Sequence, residues 1–205
     1  MMRYMLALLG LLTAMPPAVL YLAVPAAELL LSGPAMAFDD LELPTVQFDA
    51  IAVQQAGKFQ TKDHIYYTPG KLRIERGEGF ATIILDLATQ TQYALMANHT
   101  YLVTPMDDEY FRRFIARSAS YRGTRRLGTD RVAGVKATKY AFGDAGALEA
   151  AGTYWLSSDG IMVQREYNAG VFGTDQHHRE YLTDLRIEPQ PAKLFAIPSD
   201  YKRVK

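Results

Sequence analysis

Four histidines, His64, His99, His177 and His178, are the side chains of this 205-residue chain best suited to proton transfer or metal ligation. Three of them converging in space, with Asp86 as a carboxylate partner, would make a divalent-metal site. His177 and His178 are adjacent, so they point to opposite faces of a strand or diverge on a loop, and neither arrangement shares one ion. Scattered polar histidines are more often solvated than ligating, and no metal site is expected. Asp107 and Asp108 read as helix-start residues rather than as an acid–base pair. The chain has no Gly-x-Ser-x-Gly elbow, no glycine-rich phosphate loop and no His-Glu-x-x-His run; Gly77-Glu78-Gly79 is a fragment of a turn. It has no cysteine, which excludes disulfides, thiolate metal sites, a cysteine nucleophile and a thioether lipid anchor. Asn98-His99-Thr100 matches a glycosylation sequon that matters only in a eukaryotic secretory pathway. The expectation is a protein with no catalytic residue and no cofactor; a metal-dependent hydrolase is the alternative.

Arginine is the residue type that clusters. The chain balances 22 basic against 22 acidic residues, yet Arg112, Arg113, Arg117, Arg122, Arg125, Arg126 and Arg131 face only Asp130, giving 7 − 1 = +6 over residues 112–131. One reading is a solvated helix face and loop balanced by acids elsewhere in the fold. The other is an anion-facing surface, carried by Arg112, Arg113, Arg117, Arg122, Arg125 and Arg126, for lipid phosphate, an acidic envelope protein or a membrane surface. Guanidinium groups favour bidentate contact with carboxylate or phosphate. Overall neutrality, with export, argues against a nucleic-acid partner.

These residues sit on elements that the hydropathy pattern separates. Arg3, an uncharged run from Tyr4 to Ala27, and Ala35-Met36-Ala37 form a secretory signal over residues 1–37, with an N-terminal inner-membrane anchor as the alternative. A cysteine-free exported chain points to the periplasm of a bacterial envelope. Residues 38–205 make one domain. Within it, short alternating or apolar segments recur between turn signals: Thr45–Val53, Lys58–Tyr67, Leu72–Glu75, Ala81–Leu87, Gln92–Met96, Thr100–Thr104, Val135–Phe142, Gly152–Leu156, Ile161–Tyr167 and Tyr181–Ile187. Pro69-Gly70 suits a type II turn, and Ser157–Gly160 is a second strong turn. Residues 107–117 instead set Tyr110, Phe111, Phe114 and Ile115 at helical spacing, with acids at the start and arginines at the end. A further short helix or turn is expected at Pro191–Phe195. The fold class is mainly β (α+β), a strongly curved antiparallel sheet forming an incomplete barrel covered by one or more helices.

The order of short motifs resembles the bacterial lipoprotein-carrier (LolA/LolB-like) superfamily, and its uncharacterised relatives more than the carriers themselves. Tyr67-Thr-Pro-Gly-Lys-Leu-Arg-Ile-Glu75 resembles that family's Pro-Gly-Lys-x-Arg-x-Glu hairpin. Ile83–Ala88 with Tyr93–Met96, Gly128–Gly134 with Thr138-Lys-Tyr140, and Gly152-Thr-Tyr-Trp155 with Asp159-Gly-Ile161 and Arg165 follow in the family's order. Leu194-Phe195, Ile197-Pro198 and Tyr201 resemble its ending, with Ser199-Asp200 where glycine is usual. The resemblance covers most of residues 45–204 and implies an apolar cavity for acyl chains under helical cover. The absence of a cysteine lipobox sets the chain apart from the family's membrane-anchored receptors. On this reading Leu72, Ile74, Ile83, Leu85, Tyr140 and Trp155 line the sheet side of the cavity. Tyr110, Phe111, Phe114 and Ile115 face it from the helix, and Arg112, Arg113 and Arg117 stand at its rim. The expected ligand is a lipid or acylated protein; the alternative is an interaction or sensing module that uses the arginine surface without a bound lipid.

Overall fold

The computed structural model describes residues 41–77, 81–106, 117–118, 124–143, 151–171 and 174–204. Among them the regular structure is strand, apart from one 3-10 turn. β1 (Leu41–Glu42) pairs with β8 (Arg117–Ser118) in a small two-stranded unit. A first meander runs through β2 (Phe48–Ala56), β3 (Phe59–Thr68), β4 (Lys71–Arg76), β5 (Ala81–Asp86), β6 (Thr91–Met96) and β7 (Thr100–Pro105). A second runs through β9 (Arg125–Val132), β10 (Val135–Phe142), β11 (Gly152–Ser157), β12 (Met162–Val171) and β13 (Thr174–Ile187). β13 then pairs antiparallel with β2, joining the meanders, and β14 (Lys202–Arg203) adds in parallel to β7. The result is one large, curved, open sheet of 12 strands, ordered β14-β7-β6-β5-β4-β3-β2-β13-β12-β11-β10-β9.

Period-two alternation decides which residues share a face. Because directly opposed residues in an antiparallel pair point the same way, register carries the pattern from strand to strand. Phe48 and Ala50 oppose Tyr67 and Ile65, these oppose Leu72 and Ile74, and those oppose Leu85 and Ile83. This face of β2–β5 is therefore continuously apolar, and all eight side chains are buried. Each of the larger ones contributes about 1.5–3 kcal/mol of transfer free energy, an upper bound relative to a compact unfolded chain. Ala137, Trp155, Ile161, Val163 and Leu182 belong to the same cluster, so both meanders share one core. Val132, Ala133 and Val135 at the β9–β10 turn pack against it too, which brings the far hairpin back over the sheet. Phe142, Tyr154 and Met162 form a second, smaller cluster.

The opposite face of β2–β4 is crossed by the C-terminal segment. Gln190 donates its backbone N–H to Gln47 Oε1 at 2.6 Å, and Arg73 Nη1 donates to the Leu194 carbonyl at 3.0 Å. Between them a 3-10 turn, Ala192–Phe195, buries Phe195. The strap ends beside β7, where the Lys202 and Val204 N–H groups donate to His99 and Tyr101 carbonyls, both at 2.9 Å.

The strand and turn expectations are largely met. Gly70 takes φ +82° as the type II turn requires, and Gly160 takes φ +80° in the Ser157–Gly160 turn. The covering helix over 107–117 lies outside the described residues except at its end, where Arg117 is in β8, opposite Glu42, rather than in a helix. Among the described residues the 3-10 turn is the helical element, and they include no covering helix. Several elements go beyond the expected strands: β9, the two-residue strands β1, β8 and β14, the end of β12, and the first half of β13, which extends to 14 residues.

Candidate functional site

Leu72, Ile74, Ile83, Leu85 and Trp155 are brought together in the main core cluster, 0–8% exposed. Tyr140 is not with them. It stacks on Tyr154, ring centroids 5.1 Å apart, against the second cluster. Register explains the separation, because Lys139 opposes Trp155 while Tyr140 opposes Tyr154, and neighbours along a strand face opposite ways. The Lys139 ammonium lies over the Trp155 ring, 4.4 Å from its centroid. Trp155 is 4% exposed, and its indole N–H has no hydrogen-bond acceptor among the described residues. A buried donor left unpaired costs roughly 1–3 kcal/mol, so this group stands out in an otherwise apolar environment. The Gln92 side-chain carbonyl is a second buried group without a partner, on the row that opposes Leu85. Tyr110, Phe111, Phe114, Ile115, Arg112, Arg113 and Arg122 lie outside the described residues, and of Arg117 only the backbone is described.

Across the sheet, the other face of β2–β4 carries a line of polar side chains. The Asp49 carboxylate is buried and accepts from His64 Nε2 at 3.1 Å and from Arg186 Nε at 3.1 Å. His64 stacks on Tyr66, whose hydroxyl lies 3.1 Å from His64 Nδ1 and 3.4 Å from Glu75. Arg73 Nε in turn donates to Glu75 at 2.9 Å. Burial pushes the Asp49 carboxyl upward. Hydrogen bonds and charge from Arg186 and His64 outweigh that and hold it below the usual 3.8. Tyr66 moves away from ionising, through burial first and then the Glu75 charge. A carboxylate–imidazole–phenol line is one route to an activated hydroxyl. Here the carboxylate is committed to Arg186 and the phenol is made a poorer nucleophile, so the line ties the strap to the sheet instead. Asp63, on the apolar side, is pushed up by burial against the charge of Arg76 and the Gly77 N–H.

The remaining histidines disperse. His99 pairs with Asp200 at 2.5 Å and stacks on Tyr201 of the strap. His177 contacts Asn168, whereas His178 stacks on Tyr167, so the adjacent pair diverges as strand geometry requires. Asp86 holds Lys71 at 2.8 Å and accepts from the Ala88 and Thr89 N–H groups, as a turn residue does. No cluster of three metal-ligating side chains occurs among the described residues.

Apart from Arg117 in β8, the described arginines of the basic segment lie on the edge strand. Six of the eight residues of β9 are exposed, Arg125, Arg126 and Arg131 among them. Arg131 donates to the Gly134 carbonyl at 2.6 Å, whereas Arg125 and Arg126 have no ion-pair or hydrogen-bond partner among the described residues. Sequence reasoning missed Asp49, Tyr66 and Arg186. The tight turn at Gly57 between β2 and β3 was the available signal, since it fixes Asp49 opposite Tyr66. Nothing local announced Arg186, which is 137 residues away.

No family model matches the chain, and no curated protein does either. Among solved structures it is similar to an uncharacterised conserved protein from Thermus thermophilus, at 14% identity and a TM-score of 0.51 over 78% of this chain and 90% of that one. It is also similar to a chain of the Pseudomonas aeruginosa MucA/MucB complex, at 16% identity and a TM-score of 0.50 over 77% of this chain. There it covers 58% of the other chain, little more than half its length. A LolA superfamily protein from Nitrosomonas europaea is matched at 9% identity and a TM-score of 0.34, over 77% of this chain and 93% of that one. At these identities the likeness is one of fold.

Proposed function

We propose that this chain is a non-enzymatic binding protein of the bacterial envelope, exported to the periplasm, that holds the acyl chain of a lipid or acylated protein against the apolar face of β2–β5. The observation that carries this reading is Trp155, an unpaired indole N–H inside the cluster formed by Leu72, Ile74, Ile83 and Leu85. An ester or amide carbonyl at the head of an acyl chain supplies the missing acceptor, and the Lys139 ammonium beside the ring favours an anionic headgroup. Tyr110, Phe111, Phe114 and Ile115 would cover the chain, and Arg112, Arg113 and Arg117 would meet its headgroup.

Trp155 is the one tryptophan of the sequence, so its fluorescence reports this site alone. Titration of the full chain with a fatty acid brominated along its chain should quench that emission saturably. The unbrominated acid should compete, and Ile74→Glu should abolish the quenching. Emission indifferent to brominated acid at concentrations that saturate ordinary fatty-acid carriers would exclude an acyl ligand at this face. A second reading, a module that binds a partner protein, is favoured by the exposed Arg125 and Arg126, which have no partner among the described residues.

A further inference from the structure

We propose that β9 is a docking edge for an extended, acidic polypeptide segment, which adds to the sheet as a further strand. β9 pairs with β10 along one side, and no described strand pairs with its other side. An unpaired edge carries backbone N–H and C=O groups ready to template another strand. Six of its eight residues are exposed, so the described elements leave this rim open. The hairpin it forms with β10, residues 125–142, has Arg125, Arg126, Arg131, Lys136 and Lys139 against Asp130, or 5 − 1 = +4.

Three occupants compete for such an edge, and charge and geometry separate them. A second copy of this chain, pairing antiparallel about the middle of β9, would set Arg126 opposite Arg131, and like charges facing across a ladder repel. A lipid surface would use the guanidinium groups and leave the backbone edge unused. An acidic extended segment satisfies both, placing carboxylates on Arg125 and Arg126 and main-chain groups on the edge. The register also sets where pairing occurs. It jumps between Arg126↔Tyr140 and Gly128↔Lys139, leaving Leu127 as a bulge that is 42% exposed. The incoming strand therefore pairs along Gly128–Val132, covers Leu127 with an apolar side chain, and meets the two arginines at its end. This inference rests on the partner-binding reading and not on the acyl-ligand one, in which Arg125, Arg126 and the β9 edge play no part.

The test uses the full chain and a labelled decapeptide of alternating valine and glutamate that ends in two successive glutamates, followed by fluorescence anisotropy at low ionic strength. Binding is expected, with new amide-exchange protection over Gly128–Val132. A version of the peptide with a central proline, equally acidic but unable to continue a ladder, should bind about tenfold more weakly or worse. Arg125→Glu with Arg126→Glu should lower affinity by a similar factor while leaving fatty-acid quenching of Trp155 intact. Arg125→Gln with Arg126→Gln is the milder substitute should the reversal not fold. Equal binding of the proline peptide reduces the surface to undirected charge and overturns the proposal. So does peptide binding that survives both double variants. Phosphatidylglycerol vesicles that bind while the peptide does not would assign the surface to a membrane instead.

Discussion

Asp49 shows how one side chain can serve the whole fold. Its carboxylate is buried, and its donors come from the next strand, from β13 and from the start of the strap, where Gln190 Nε2 lies 3.4 Å away. Asp49→Asn removes the charge while keeping the shape. The loss should be about 1 kcal/mol, the low end for a charged hydrogen bond, because Arg186 stands largely in solvent. The sign with pH follows from the direction of the shift. A carboxyl held below its unfolded value near 3.9 stabilises the fold above that pH and loses the contribution as pH falls through the folded value. The difference in stability between the parent and Asp49→Asn should therefore be flat from about pH 8 to 5 and shrink toward pH 3. Chemical denaturation across that range measures it, and a difference that persists unchanged at the acid end would mean that the charge is not its source. At this scale the sequence was legible wherever a side chain's role follows from its own strand. Leu72, Ile74, Ile83 and Leu85 alternate with polar neighbours or sit in a buried run, and they are buried together. Trp155 lacking an acceptor and Asp49 meeting Arg186 depend on what packs around them, and no spacing encodes that.

At the scale of elements, legibility tracked burial. β4, Lys71-Leu-Arg-Ile-Glu-Arg76, buries Leu72 and Ile74 between half-buried neighbours and announces itself by period two. β9, Arg-Arg-Leu-Gly-Thr-Asp-Arg-Val, is exposed on both faces along an edge, so neither face selects apolar residues and no alternation is written into it. The first half of β13 was hidden for a related reason, since Asp175, Gln176, His177 and His178 carry no hydrophobic pattern. The β11–β12 pair contains a constraint of a different kind. A Cβ on Gly152 would run into the Glu166 carbonyl oxygen, with Phe142 and Tyr167 also in the way. Gly152 opposes Tyr167 in the ladder, so relief requires the strands to part. Gly152→Ala should cost about 1–3 kcal/mol, the range for overpacking a fixed backbone approach, read as a lowered urea midpoint. An alanine variant as stable as the parent would show that this end of the ladder is free to open.

The large sheet is two meanders of hairpins joined at a single long-range seam. Every other antiparallel neighbour in the large sheet is a neighbour in sequence, whereas β2 and β13 pair residues more than 120 positions apart, such as Ala56 with His178. The arrangement was not legible, because each hairpin is encoded locally and the seam is not. Sheet order places β2 and β13 in the middle and β9 and β14 at the rims. Native-state amide exchange should therefore be slowest along Ala50–Val53 and Tyr181–Leu182 and fastest along β9 and β14, approaching global unfolding only at the seam. Protection of β9 equal to that of β2 would contradict this ranking.

The topology also shows what keeps the molecule curled. β7 and β9 bracket one connection in the chain but stand ten strand spacings apart in the sheet, about 48 Å along a flattened ribbon at ~4.8 Å each. The connection from Pro105 to Arg125 takes 20 residue steps, at most about 70 Å when drawn out straight and only about 30 Å if coiled helically. Drawn straight, the connection exceeds the flattened span, so its length permits a flat ribbon; what holds the rims toward one another is the shared core, on which Val132, Ala133 and Val135 of the far hairpin pack.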